Sequence, residues 1–207
     1  MSIPVILHIP HSSTSIPAPY DQDYLLSAAE LELEKLRLTD MYTDELYQLP
    51  GAERAIFPVS RFLVDAERFD DDARESMSAR GMGALYTVTT HLKAMRLQPS
   101  VERRAELMNR YYYPHHEKLN AWADRALATH GRGLLVDCHS YPSQVLPYEL
   151  ETAPRPRPQI GIGTDAFHTP PELGKAIVAG FEQRGYEVGL DSPFAGTLTP
   201  GRHYGKS

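Results

Sequence analysis

The sequence predicts an α/β protein built around a parallel sheet, because two apolar runs end abruptly in polar side chains. Residues 133–136 are small or apolar and are followed at once by an acid, a cysteine, a histidine and a serine. Residues 3–10 form a similar run, which leads into His11 and two serines. Buried strands of parallel sheets are nearly continuous apolar segments, and ligands of open α/β folds collect at their carboxyl ends. We therefore expect residues 133–136 as the central strand, with His139 and His11 at one edge of the sheet.

Length and composition favour one domain in a reducing compartment. The 207 residues, 42% of them hydrophobic, are enough for a single core, so we interpret residues 1–207 as one domain. The single cysteine allows no internal disulfide, and the first residues lack the features of a signal peptide, which predicts a cytoplasmic protein. A net charge of −6 offers no basic surface for nucleic acid. No apolar stretch approaches the roughly 20 residues of a membrane helix.

The first half of the chain alternates loops and regular elements. The pattern predicts a loop, an interrupted helix, a strand and an irregular surface segment over residues 15–20, 21–49, 53–65 and 69–83. The helix should break at Thr39-Asp40, because both residue types are good caps. Its apolar stripe includes Leu33 and Leu36.

The second half begins with a long helix that contains a proline. The pattern predicts a helix, an open loop, a strand, a helix and a strand over residues 99–130, 141–158, 159–163, 171–185 and 186–189. Pro114 should kink the first helix and place His115 and His116 just past the distortion. The loop is held extended by its prolines, at positions 142, 147, 154, 156 and 158. Pro171 suits a helix start and Gly185 a helix stop.

The histidines at the strand ends are candidate metal ligands. Zinc that activates water takes three protein ligands and keeps one open position, and two histidines with one carboxylate are a common set. His11 and His139 supply the histidines, with Asp40 as the first and Asp44 as the second candidate for the carboxylate. Zinc in such a site lowers the pKa of a water molecule to roughly 7 and polarises an amide carbonyl. The alternative is that both histidines are hydrogen-bonded structural residues, and the long spacing between them leaves this open.

Three charged residues nearby also allow two interpretations each. Asp137 either orients a metal ligand or caps the next turn. Arg61 and Arg68 suit the binding of a substrate carboxylate, but an arginine beside Asp65 and Glu67 more often forms a plain ion pair.

Other catalytic chemistries have weaker support. Cys138 is a possible nucleophile, although a lone cysteine next to an apolar strand is usually inert packing. Ser12, His139 and Asp137 could form a serine-hydrolase triad, but the Gly-x-Ser-x-Gly elbow is missing. Residues 161–163 are too short and wrongly continued for a dinucleotide-binding loop.

Six separated motifs connect the sequence with a known family. They cover nearly the whole chain: Ile9-Pro10-His11-Ser12-Ser13, Thr39-Asp40 with Leu46-Tyr47, Ser60-Arg61-Phe62-Leu63-Val64-Asp65 with Arg68, Tyr113-Pro114-His115-His116, Val136-Asp137-Cys138-His139-Ser140, and Arg202-His203-Tyr204-Gly205. In order and spacing the motifs resemble the N-formylglutamate amidohydrolases. The resemblance implies a three-layer α/β fold with helices on both faces of the sheet, of the phosphorylase/hydrolase type shared with zinc carboxypeptidases. It also implies a catalytic zinc ion and hydrolysis of N-formyl-L-glutamate to glutamate and formate at the end of histidine breakdown.

The resemblance also implies roles for individual residues. His11, Asp40 and His139 look like the metal ligands, and Arg68 and Arg202 look like the groups that hold the two carboxylates of the substrate. Our full set adds two groups, namely the catalytic candidates His139 and Asp137 and the further substrate-binding candidates Arg61, Ser12 and Ser140.

The chain departs from the family pattern in two places. The family usually has Asp-Leu-Asn-Arg where this chain has Asp65-Ala66-Glu67-Arg68, which puts an acid beside the candidate arginine. The family continues after residues 202–205 with a strand whose glutamate resembles the general base of carboxypeptidases, whereas this sequence stops at Ser207. We expect a domain that lacks this strand, with a shortened sequence, a base supplied elsewhere or weak catalysis as the three explanations.

The sequence thus supports one main function and two alternatives. The main one is a zinc-dependent amidohydrolase that cleaves the N-acyl, above all the N-formyl, amide of a small acidic amino acid. The first alternative is a catalytically weak relative that binds a carboxylate ligand or a partner. The second is a zinc peptidase for short peptides, which the open loop at residues 142–158 would suit. All three lack a nucleic-acid or membrane partner, and the oligomeric state is left open.

Overall fold

Three parallel strands form the sheet that carries the predicted strand ends. The computed structural model describes residues 3–149 and 156–206. Strands β1 (Val5–Ile9), β2 (Glu53–Ile56) and β3 (Leu134–Asp137) pair in the order β2-β1-β3, and both pairings are parallel. The apolar and β-branched residues of β1 suit a strand that is buried on both faces. The α/β class is confirmed, whereas the three-layer arrangement stays a prediction.

Two details of the predicted sheet are wrong. Within the three-stranded sheet the central strand is β1 and not β3, because β1 pairs along both of its edges. Strand β2 ends at Ile56 rather than at Asp65. Pro58 cannot donate a bond to a sheet, and the Leu63 N–H donates to the Ser60 carbonyl in a turn instead.

The helical region before β2 consists of short pieces. A 3-10 turn (Tyr20–Asp23) precedes helix α1 (Ala28–Leu38) and helix α2 (Thr43–Leu46). Helix α1 begins with a capping box, in which the Ser27 and Glu30 side chains each accept from the other residue's backbone N–H. The predicted break at Thr39-Asp40 is confirmed, since α1 ends just before it.

The apolar stripe predicted for α1 is wrong. Leu33 and Leu36 are 50% and 53% exposed, whereas Glu34 is buried. The Glu34 carboxylate accepts hydrogen bonds from the backbone N–H and the hydroxyl of Thr90. A carboxylate with such partners can occupy an inward position that periodicity alone assigns to a leucine.

The long helix of residues 99–130 is present, and its distortion is a π-helical turn. Helix α3 (Val101–Leu107) leads through this turn (Met108–Tyr112) into helix α4 (Tyr113–His130). The Tyr113 N–H donates to the Met108 carbonyl, five residues earlier. Proline inside an α-helix has no N–H to donate and crowds the carbonyl four residues back, and the wider turn lies directly before Pro114. The helix therefore passes the proline and continues to its end.

The chain divides into two compact units, residues 1–141 and 142–207. The second unit contains strand β4 (Ile160–Ile162), helix α5 (Pro171–Glu182) and strand β5 (Val188–Leu190), with β4 and β5 parallel. All three elements match the predictions to within a few residues. The predicted open loop lies partly outside the described residues, and its described parts, 141–149 and 156–158, contain no helix or strand. Among the described helices, none is long and apolar enough to cross a membrane.

Helix α4 packs closely against the residue that precedes β3. A Cβ atom added to Gly133 would lie 2.7 Å from Trp122 Cη2 and 3.0 Å from Ala126 Cβ. Both neighbours on α4 are buried, so neither can yield without disturbing the packing. The small residue thus lets the helix and the strand approach each other.

We expect Gly133→Ala to lower the free energy of unfolding by about 1–3 kcal/mol, because overpacking outweighs the smaller gain from a less flexible unfolded chain. Urea unfolding followed by circular dichroism measures the change. Gly201→Ala is the control, since a Cβ atom there meets nothing within 4 Å. Equal midpoints for Gly133→Ala and wild type would contradict the close approach.

Candidate metal and active site

The two predicted strand ends meet, and they bring a carboxylate with them. His11 lies just past β1 and His139 just past β3, with ring centroids 5.2 Å apart. Asp40, which follows α1, places Oδ2 2.7 Å from His139 Nδ1 and 3.7 Å from His11 Nδ1. The three side chains expected as metal ligands therefore lie together. Asp44, the second candidate, lies in α2 with an exposed side chain.

Glu67 also reaches both histidines, although no metal role is predicted for it from the sequence. Its Oε1 lies 3.0 Å from His139 Nε2, and its Oε2 lies 3.6 Å from His11 Nδ1. One ligand atom each from His11, Glu67 and His139 lies within 4.8 Å of the others, close enough to hold one metal ion. Two histidines and one carboxylate are the set that zinc hydrolases use. Glu67 and Asp40 are thus both within reach of such an ion.

A buried carboxylate orients His11. Asp65 Oδ1 accepts from His11 Nε2 at 2.9 Å, and Asp65 is completely buried. Its other oxygen accepts from Arg61 at 2.9 Å and from the Tyr86 hydroxyl. Because Nε2 is occupied, Nδ1 is the ring nitrogen that His11 turns toward Glu67. A carboxylate behind a ligating histidine fixes both its ring orientation and its tautomer.

The Nδ1 atom of His11 indicates that the site fits a cation. Among the described residues this buried nitrogen has no hydrogen-bond partner, although carboxylates lie 3.6 and 3.7 Å away. An orphaned polar atom in the interior is costly, and a metal ion between the nitrogen and the carboxylates would satisfy it. The donor set therefore fits a divalent ion of the zinc type.

The electrostatic field around the histidines also favours positive charge. Burial by itself would lower the pKa of His139, but Glu67 and Asp137 outweigh it and hold that pKa well above its usual range. Burial and Arg61 lower the pKa of His11, and Asp65 with Glu67 more than compensates. Acids that attract a proton this strongly also attract a metal cation.

The carboxylate of Asp40 remains ionised in this environment. Burial alone would raise the pKa of Asp40, but the two histidines hold it well below the usual range. An ionised Asp40 can accept the Nδ1–H of His139 or bind a metal ion.

A second cluster lies beside the first and differs in one respect. His8, Glu67 and Asp137 also bring one ligand atom each to within 4.8 Å of one another. Both ring nitrogens of His8 already have partners, Asp137 Oδ1 at 2.7 Å and His115 Nε2 at 2.9 Å. Neither ring nitrogen of His8 is therefore available to bind a cation, in contrast to Nδ1 of His11.

The candidate substrate-binding arginines have different environments. Arg61 is largely committed to Asp65 and Tyr86, which makes it a support for the buried carboxylate. Arg68 has a side chain 24% exposed and lies 3.7 Å from both Asp65 and Glu75, too far for a hydrogen bond. Arg202 lies in a turn of the second unit, and its substrate-binding role stays a prediction.

The serines and the alternative triad can also be located. The Ser140 hydroxyl donates to the Met41 carbonyl at 3.2 Å, and the Ser140 N–H faces Asp40. Ser12 is half-buried beside His11. In the described part of the chain no hydrogen bond links Ser12 to His139, whose ring nitrogens face carboxylates instead. The serine-hydrolase alternative gains no support from this arrangement.

Cys138 packs in the interior with Leu7 and Ile9. Because its side chain is 0% exposed, we expect it to resist alkylation by iodoacetamide in the native protein. Mass spectrometry should find no adduct in native protein and one adduct after denaturation. Rapid labelling of the native protein would contradict a packing role and support Cys138 as a nucleophile.

The sequence matches a family model, and the fold is similar to solved structures. The family model described as N-formylglutamate amidohydrolase matches residues 3–207. A comparison with curated protein sequences found no significant match. Two similar crystal structures are an N-formylglutamate amidohydrolase from Ralstonia eutropha JMP134, with TM-score 0.75, 22% identity and coverage of 95% of this chain and 75% of that one, and a gene product from Agrobacterium tumefaciens, with TM-score 0.63, 20% identity and coverage of 93% and 70%. Since one family model spans nearly all of the sequence, the chain belongs to the N-formylglutamate amidohydrolase family.

Proposed function

We propose that the protein is a zinc-dependent amidohydrolase that cleaves the N-acyl amide of a small acidic amino acid, with N-formyl-L-glutamate as the leading substrate. Family membership supports amide hydrolysis as the reaction class. The observation that carries the metal dependence is the buried His11 Nδ1, which faces two carboxylates and lacks a hydrogen-bond partner among the described residues. A cytoplasmic location and a role in histidine breakdown belong to the same proposal.

In this proposal His11 and His139 bind the zinc ion, and a carboxylate is the third ligand. Glu67 is the better candidate, because Asp40 Oδ2 lies at hydrogen-bonding distance from His139 Nδ1 and can orient that ring. Asp40, the ligand predicted from the sequence, then supports His139 as Asp65 supports His11. Zinc bound there would supply a Lewis acid for the acyl carbonyl and for a water molecule.

The residues around this centre would bind and orient the substrate. Arg68 is partly exposed and is not saturated by its acidic neighbours, so it can hold a carboxylate of the substrate. Arg61 keeps Asp65 ionised and thereby keeps Nδ1 of His11 turned to the reaction site. Asp137, whose Oδ1 lies 3.5 Å from His139 Nε2, is ionised and adjacent to the centre, as its catalytic candidacy requires.

We expect about one zinc ion per purified chain, measured by elemental analysis after dialysis against metal-free buffer. His139→Ala and Glu67→Gln should each lose most of it, because each removes a ligand. Asp40→Asn should reduce metal affinity by the 10–100-fold typical of groups that orient a ligand.

Asp44→Asn is the matched control, since this exposed aspartate lies near the site in sequence but belongs to neither cluster of candidate ligand atoms in the described part of the chain. Full zinc content in both His139→Ala and Glu67→Gln would refute the proposed ligand set. Wild-type protein without any metal would leave the carboxylate-binding alternative.

We expect Arg68→Met to reduce the preference for N-formyl-L-glutamate over N-formyl-L-glutamine by about 10–100-fold in kcat/KM, the value of one hydrogen bond to a charged group. Steady-state kinetics with both substrates measures the ratio. Arg74→Met is the control, because Arg74 is exposed and contacts the Phe69 ring instead. An unchanged ratio would remove Arg68 from substrate recognition.

A further inference from the structure

Two adjacent histidines at the start of α4 point to different parts of the site. His115 is 6% exposed and His116 is half-buried, and both follow the π-helical turn and Pro114. Their ring centroids lie 6.2 Å apart with the planes nearly perpendicular, at 88°. Neither belongs to the clusters of ligand atoms described above.

His115 reaches the site through His8. The Nε2 atoms of the two rings are 2.9 Å apart, and His8 Nδ1 lies 2.7 Å from Asp137 Oδ1. An ionised carboxylate can only accept a hydrogen bond, so in the contact with Asp137 the proton is on His8 Nδ1. In the other contact, one proton lies between the Nε2 atoms of His8 and His115. Burial and the neighbouring His8 lower the pKa of His115 to about 2, so its ring is neutral. Asp137 in turn lies 3.5 Å from His139 Nε2, the ring nitrogen that is left for the metal ion because Nδ1 faces Asp40.

His116 reaches the other half of the site directly. Its Nε2 lies 2.8 Å from the Ala66 carbonyl, to which it must donate. Ala66 is completely buried and lies between Asp65, which orients His11, and Glu67, which faces both histidines of the site. The Tyr112 ring packs against His116 at 4.2 Å and restricts its rotation.

We propose that His115 and His116 are positioning residues for the metal centre, with one histidine holding each half. His115 holds Asp137 through His8, and His116 holds the Asp65–Ala66–Glu67 backbone. The inference rests on the proposed metal site and adds to it the helix that keeps its two halves in register. Because the histidines are consecutive on a rigid helix, a shift of either half relative to the other would break one of the two contacts.

The alternative use of the same residues is a second metal ion between His8, Glu67 and Asp137. Both ring nitrogens of His8 are already within 3 Å of partners, and the ring is completely buried. A second ion would have to replace at least one of these hydrogen bonds. Two metal ions per chain in wild-type protein would overturn the positioning role of His115, because His8 would then be a ligand.

Cobalt(II) provides the test, because its visible absorption reports ligand geometry independently of activity. We expect His116→Leu to lower cobalt affinity 10–100-fold and to change the absorption spectrum of the saturated protein. His116→Gln, whose amide nitrogen can occupy the position of Nε2, should restore both. His116→Asn keeps a polar group that is too short to reach Ala66, so it should behave like His116→Leu and serves if that variant does not fold.

His115→Leu and His115→Gln form the second pair, with the same expected loss and rescue. Thermal unfolding of each metal-free variant separates general destabilisation from positioning. A lower melting temperature with unchanged cobalt affinity and spectrum would make the histidines purely structural and overturn this inference alone. Wild-type protein that binds no cobalt or zinc would overturn the proposed metal site and the positioning role with it.

Discussion

The site depends on one buried charge, the carboxylate of Asp65. A charge in the interior is tolerated only when each of its lone pairs has a donor. Asp65 meets this condition with the His11 ring and the Glu67 N–H on one oxygen, and with Arg61 and the Tyr86 hydroxyl on the other. Removing one partner of such a buried charge typically lowers the free energy of unfolding by about 3–5 kcal/mol. All four donors must therefore keep their positions around Asp65. The direction of His11 toward the centre follows from this constraint.

Each of the four residues from Asp65 to Arg68 has a different role in the site. Asp65 points to His11, the Ala66 carbonyl points to His116, and Glu67 points to His139. Arg68 follows with a partly exposed guanidinium. An irregular segment can direct consecutive side chains to several partners, whereas a strand would send them alternately to two faces. The early end of β2 is therefore a requirement of the site as well as a departure from the expected pattern.

The strand ends could be predicted from the sequence because apolar runs and the polar residues after them are local signals. His11 and His139 do meet, with Asp40 against them. Glu67 could not be assigned, because an ion pair with a neighbouring arginine already accounts for an acid at this position and only the folded chain shows that it faces His139. The inward position of Glu34 was missed for a related reason, since its partner Thr90 lies 56 residues away. Local periodicity contains no information on such contacts.

The π-helical turn before Pro114 makes the length of the long helix as important as its composition. The π-helical turn holds one residue more than an α-helical turn, so it absorbs a residue that would otherwise rotate the two ends of the helix relative to each other by about 100°. The turn thereby lets the histidine face of α4 and the buried face of α3 each meet their partners. Because an α-helical turn in the same register needs one residue fewer, we expect natural relatives that keep the same centre without the π-helical turn to lack one residue there.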